Sequence, residues 1–215
     1  MAGLIIASLD EATLAQAACL LADLDPDLAG IYARLGPPPL WAREEGFPTL
    51  LYIILEQQVS LASARAAYQR LLAAATPLTP ESFLQMDDLE LKSIGFSRQK
   101  TGYGRNLARA ILQGELDLAA LGWLDDSEVR SQLLKIKGIG PWTANIYLLM
   151  ALLRPDIWPR QDLALAVAVQ RVKRLASRPS LDEMEALSQG WRPWRAVAAR
   201  MLWQDYLSSN GRRIT

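Results

Sequence analysis

Residues 134–144 read Leu134-Lys135-Ile136-Lys137-Gly138-Ile139-Gly140-Pro141-Trp142-Thr143-Ala144, with helical patterns on both sides. Gly138 and Gly140 open backbone angles closed to other residues and carry no side chain to block a close approach. Pro141 suits the first turn of a helix, where its missing N–H is no loss. The stretch therefore predicts two helices joined by a glycine hairpin. The amides from Gly138 to Trp142 lead into a helix N-terminus, where N–H groups without intrahelical partners and the helix dipole favour an anion. Carbonyls on the other side of the turn, those of Leu134, Ile136 and Ile139, could hold a monovalent cation that bridges to a phosphate. A plain tight connection between helices is the other reading of the same glycines.

The rest of the chain also reads as helix. Nowhere do four or more residues alternate between apolar and polar with a β-branched bias, which argues against a sheet. Asp10 opens a helix to about Asp23, and Pro26 opens another ending near Gly36. The stretch Gly36-Pro37-Pro38-Pro39-Leu40-Trp41 makes a stiff linker. A helix over Thr49–Glu56 breaks at Gln57-Gln58-Val59, and Ser60 caps Leu61–Ala75. Thr79-Pro80, Asp87 and Gly95 punctuate two short helices, and Arg98–Gln113 follows. Asp126 or Ser127 opens a helix to Lys135, Pro141–Leu153 follows the hairpin, and Pro155 ends it. Asp162–Arg174 carries Leu163, Leu165, Val167 and Val169 and is expected to be buried. Ser180 and Glu183 fit a capping box for a helix ending at Gly190, and Pro193–Leu207 closes the chain.

Two absences narrow the chemistry. The sequence has no His, which excludes His-based triads and His–metal sites. Its one cysteine, Cys19, excludes disulfides within the chain, zinc fingers and four-cysteine iron–sulfur clusters. Cys19 shares a helix with Leu14, Ala18 and Leu21 and is expected in the core. Catalysis must rest on carboxylates, amides, hydroxyls, aromatics, Arg or Lys. The net charge of zero hides a gradient: residues 1–91 hold 4 basic and 12 acidic side chains, and residues 92–215 hold 19 and 11. The reversal near residue 92 is expected to mark a lobe boundary, with the basic half facing a polyanion. No run approaches the ~18 apolar residues of a membrane span. The start, Met1 to Asp10, lacks the basic and long apolar segments of a secretory signal, so a cytoplasmic location is expected.

About twenty residues past the hairpin stands Asp162, in Trp158-Pro159-Arg160-Gln161-Asp162-Leu163. Asp is a favoured helix cap, and the dipole favours negative charge at that end. A carboxylate oriented in this way suits stabilisation of a cationic sugar better than proton donation. The hairpin string from Leu133 to Ala144, with Asp162 downstream, resembles the hairpin and catalytic acid of the helix-hairpin-helix DNA glycosylase superfamily. Leu55-Glu56-Gln57-Gln58-Val59-Ser60 and Trp191-Arg192-Pro193-Trp194-Arg195, with Trp203, resemble its 3-methyladenine DNA glycosylase II branch, the alkylbase glycosylases, in a compact form without an extra N-terminal β-rich domain.

The resemblance implies an all-α, two-lobed fold with the active site in the cleft between lobes. One lobe spans roughly 49–162, and the other is built from 1–48 and 163–215. It implies Asp162 as the catalytic carboxylate. Gln57 and Gln58 would enter the gap left by an extruded base. Trp142, Trp203 and Tyr147 would line the base pocket, where an indole face attracts a cationic ring by ~0.5–2 kcal/mol. A tyrosine common in that pocket is replaced by Ile146, with Tyr147 one step along, while Trp191 and Trp194 read better as core. Phosphate contacts would come from Lys135, Lys137, Gly138, Gly140, Trp142 and Thr143. Relatives that cut the backbone carry a lysine at position 142, and a tryptophan cannot form an imine, so a monofunctional hydrolase without lyase activity is implied. Its substrate would be alkylated purine in damaged double-stranded DNA, repaired by a monomer with no membrane association. No cofactor is expected beyond a structural Na+ or K+ at the hairpin. A hairpin DNA-binding protein without catalysis, and a glycosylase for deaminated or mismatched bases, are the alternatives.

Overall fold

A computed structural model describes residues 8–209. The N-terminal residues 1–7, on which the expectation of no secretory signal partly rests, lie outside the described residues. Helices follow one another as α1 (Glu11–Leu24), α2 (Pro26–Leu35), α3 (Phe47–Glu56), α4 (Leu61–Ala74), α5 (Pro80–Gln85), α6 (Asp88–Ile94), α7 (Arg98–Leu112), α8 (Asp126–Leu134), α9 (Pro141–Met150), α10 (Leu163–Val172), α11 (Leu181–Ser188) and α12 (Arg195–Ser209). Short 3-10 turns occupy Leu121–Trp123 and Gln189–Trp191, and no strand occurs among the described residues. The chain forms two compact units, one from residues 1–42 with 152–215 and the other from 43–151. The all-helical expectation holds. Among the described residues, no helix is long and apolar enough to cross a membrane.

Caps explain many of the boundaries. Asp10 accepts from the Thr13 N–H at 2.7 Å, and Ser60 accepts from Ser63 at 3.2 Å. Ser180 and Glu183 form a reciprocal capping box. α8 begins at Asp126 as expected, and Asp125 before it is the cap, because its carboxylate reaches two N–H groups while Glu128 bonds back to it. α9 stops at Met150, short of the expected Leu153, just before the chain passes from one unit to the other.

In the 43–151 unit, α3 is buried along nearly its whole length and packs on α4, α7 and α9. In the other unit, α12 takes the same part and packs on α1, α2 and α10. Three expectations fail here, the first two because local sequence does not say which face meets a neighbour. Cys19 is exposed, because α1 buries the stripe Leu14, Ala17, Ala18 and Leu21 and position 19 points away from it. Leu163 is 61% exposed while Leu165 and Val169 are buried. Residues two apart lie on different sides of a helix, and those four apart share one. The charge reversal near residue 92 is not a lobe boundary, since Lys92 lies within α6 inside the 43–151 unit.

Candidate active site

The hairpin forms as the sequence implies, but its two glycines do different work. Gly138 has φ +111°, and a Cβ there would stand 2.3 Å from Tyr103 Cγ. Only glycine suits both the backbone angle and the close approach of α7. Gly140 has an ordinary φ of −96° and is the N-cap of α9, with no side-chain bond to that helix. A Cβ at Gly140 would meet nothing within 4 Å, so its angles need no glycine, and the missing side chain leaves space at the helix N-terminus. Lys135 and Lys137 are exposed on either side of the buried Ile136. The Ile136 carbonyl accepts from the Ile139 N–H at 3.0 Å. A carbonyl has a second lone pair, so the oxygens of Leu134, Ile136 and Ile139 remain a chemically suitable set for a monovalent cation. Among the described residues no group of three His, Cys, Asp or Glu is placed to hold a metal.

The turn after α3 sits against the hairpin, and the two glutamines part company there. Gln57 is turned inward: its Nε2 donates to the Gly138 carbonyl at 2.9 Å and to Thr143 Oγ1 at 3.0 Å. Its amide is therefore committed to the protein, against the expectation that it enters DNA beside its neighbour. Gln58 is exposed, in the left-handed region at φ +56°. Thr143 is 1% exposed with its hydroxyl on Gln57, so its side chain is not a phosphate contact. Trp142 is half-buried in the first turn of α9.

Asp162 takes the helix-cap position expected of it. It is the N-cap of α10, with Oδ1 accepting from the Leu165 N–H at 2.7 Å. The same oxygen accepts from the Trp203 indole Nε1 at 3.1 Å. Two donors from two helices fix the orientation of the carboxylate. Trp203 is 7% exposed, so it acts on Asp162 from a packed position on α12. Its indole N–H has a defined partner, which periodicity could not reveal.

Tyr147 corrects the pocket assignment. It is fully buried in the 43–151 unit, and its hydroxyl accepts from the Gly46 N–H at 3.0 Å. Burial pushes the hydroxyl up to about 12, while the Gly46 bond acts the other way. Tyr147 thus ties the start of α3 to α9 and offers no ring face to a ligand. Trp191 is buried as expected, though its Nε1 also donates to Asp25 at 2.8 Å.

Sequence reasoning missed the residues that hold the site's frame. Arg43 donates to both oxygens of the buried Glu56, at 2.9 and 2.7 Å. Burial opposes charge on Arg43, but the Glu56 bonds and charge outweigh it and raise the guanidinium above its ordinary value. Lys100 on α7 donates to the Leu55 carbonyl at 2.6 Å, and Asn106 on the same helix donates to the Lys137 carbonyl at 3.3 Å. Their only sequence signal was a polar face on α7.

Comparison with known proteins identifies the family. A protein of Bacillus subtilis named putative DNA-3-methyladenine glycosylase YfjP is 30% identical over 186 residues, covering 83% of this chain and 65% of that protein. The chain thus spans just under two thirds of the length of that relative. DNA-3-methyladenine glycosylase 1 of Schizosaccharomyces pombe is 27% identical over 199 residues, covering 89% of this chain and 87% of the relative. The solved structure of the S. pombe 3-methyladenine DNA glycosylase Mag1 in complex with abasic DNA superposes with a TM-score of 0.84 at 27% identity, over 88% of this chain and 95% of that one. Residues 51–193, more than half of the sequence, match the family described as HhH-GPD superfamily base excision DNA repair protein, and the chain belongs to that family.

Proposed function

We propose that this protein is a monofunctional DNA glycosylase that releases alkylated purines from double-stranded DNA and leaves an abasic site. The carrying observation is the carboxylate of Asp162, fixed through Oδ1 by the Leu165 N–H and the Trp203 indole in a chain with no histidine. The names of the relatives, DNA-3-methyladenine glycosylases, support the same substrate class. The target nucleotide is flipped out at an unstacking cost of a few kcal/mol, which lesions reduce. Gln58 fills the vacated stack, and the indole face of the half-buried Trp142 attracts the cationic base. The C1′–N bond breaks with its electron pair leaving on the base, so a cationic N-methylated purine departs neutral and needs no proton donor. Asp162 stabilises the oxocarbenium-like sugar, and water then adds to C1′ and gives up a proton.

The hairpin holds the phosphate backbone through Lys135, Lys137 and the N-terminus of α9; the carbonyls of Leu134, Ile136 and Ile139 would hold a Na+ or K+, which would supply positive charge toward a phosphate. Replacing alkali cations by a bulky organic cation at constant ionic strength weakens DNA binding if that ion is present. A protein acting on chromosomal DNA would work in the cytoplasm, at the nucleoid. Incubating alkylated duplex with wild type and with Asp162→Asn tests the whole reading. Wild type releases free base and the variant does not; if both bind DNA and neither releases base, the protein is a binding module. Release from deaminated or mismatched duplex in place of alkylated duplex reassigns the substrate.

A further inference from the structure

Three consecutive residues at the end of α3 are each anchored to a different place. The Leu55 carbonyl accepts from Lys100 on α7 at 2.6 Å. The Glu56 carboxylate is held by both terminal nitrogens of Arg43, whose own N–H donates to the Met150 carbonyl at 2.9 Å, at the far end of α9. Gln57 bonds the hairpin at Gly138 and the first turn of α9 at Thr143. Gln58, the next residue, is exposed and stands in a backbone region costly for a side chain of its size. Such a conformation persists only where its surroundings over-determine it.

We propose that Gln57 and Lys100 are positioning residues: they fix the Gln58 turn against the hairpin, so that phosphate capture and entry of Gln58 into the duplex occur in one register. This rests on the glycosylase reading above, in which Gln58 fills the space of an extruded nucleotide. The hairpin grips the backbone and Gln58 must reach the stack from that grip, so the spacing between them sets whether the reach succeeds. Gln57 spans that spacing with one amide, donating to the hairpin carbonyl and to the helix that follows. Lys100 holds the Leu55 carbonyl, two residues before Gln57, from α7. A misplacement of about 1 Å is enough to cost on the order of a hundredfold where geometry must be met.

The test measures affinity for a duplex with a tetrahydrofuran abasic analogue against the same duplex intact, so it does not depend on base release. Wild type prefers the abasic duplex. Gln57→Glu keeps the shape but turns a donor into an acceptor facing the Gly138 carbonyl, and it loses about tenfold of that preference. Lys100→Met loses a similar amount, and Lys100→Arg, which can still donate, retains the preference. Affinity for intact duplex changes less than threefold in each. In a Gln58→Ala background, Gln57→Glu causes no further loss, because its effect runs through Gln58. A preference unchanged in both Gln57→Glu and Lys100→Met overturns the inference alone. So does an equal fall in affinity for intact duplex, or a further tenfold loss in the Gln58→Ala background. A wild-type protein with no preference for abasic duplex overturns the glycosylase reading, and this inference with it.

Discussion

Gly138→Ala and Gly140→Ala place the same methyl group two residues apart, and the structure assigns them different consequences. At Gly138 the new Cβ would lie 2.3 Å from Tyr103 Cγ and 2.5 Å from Tyr103 Cβ. Those atoms are at the root of the side chain, so no rotamer clears them and α7 itself must shift. Overpacking of this kind costs about 1–3 kcal/mol. The φ of +111° adds backbone strain, another ~1–3 kcal/mol for a residue with a side chain. A midpoint of about 4 kcal/mol, at about 2–4 °C per kcal/mol for a chain of this size, lowers Tm by roughly 8–16 °C. At Gly140 the angles are ordinary and the space is open. The entropy gained from Gly→Ala, about 0.4–1 kcal/mol, is offset by alanine's weakness as an N-cap, so stability stays within about 1 kcal/mol. The Gly140 methyl instead occupies the approach to the N-terminus of α9, and affinity for intact duplex falls at least tenfold, about 1.4 kcal/mol. Thermal unfolding and fluorescence anisotropy with a labelled duplex read the two quantities separately. A Tyr103→Gly background removes both atoms, which Tyr103→Ala would not because it keeps the Cβ, and leaves Gly138→Ala with only its backbone cost, about 1–3 kcal/mol. The reasoning is refuted if Gly138→Ala melts within about 3 °C of wild type, or if Gly140→Ala binds duplex as tightly as the parent.

Lys135→Ala with Lys137→Ala reduces the slope of log affinity against log salt by about 2, since each phosphate contact contributes about 0.9; an unchanged slope removes both lysines from the interface. Trp142→Lys gains no lyase activity, because a nucleophilic amine also needs a lowered pKa; a borohydride-trapped DNA adduct in that variant contradicts this. Burial raises the Asp25 carboxyl, but the Lys173 and Trp191 bonds outweigh it, so its folded value lies below the ordinary 3.8. That stabilisation is present above the ordinary value and is lost as pH falls through the folded one. Asp25→Asn, which keeps the cap of α2, therefore melts below wild type at neutral pH, and the gap closes under acid; a gap independent of pH refutes the linkage.

Much of the candidate site could be read from the sequence because it is written in short-range chemistry. The hairpin between α8 and α9, the caps at Asp10, Ser60 and Ser180, and Asp162 at the head of α10 each depend on a few adjacent residues. A glycine that needs a positive φ, or a carboxylate that reaches N–H groups three residues on, is legible wherever it occurs. What failed depended on partners far along the chain. Gln57 and Gln58 are alike as residue types, and only the approach of Gly138 and Thr143 turns one inward and leaves the other to solvent. Tyr147 reads as a pocket aromatic until Gly46 claims its hydroxyl, and Trp203 reads as filler or pocket wall until Asp162 accepts its N–H. The sequence by itself determined the helices, most of their ends, the hairpin and the capping carboxylate of Asp162, because hydrogen bonds within one turn decide those. The tertiary structure alone decided which of two neighbouring side chains faces a partner and which faces solvent, because a helix presents all its sides and only packing chooses among them.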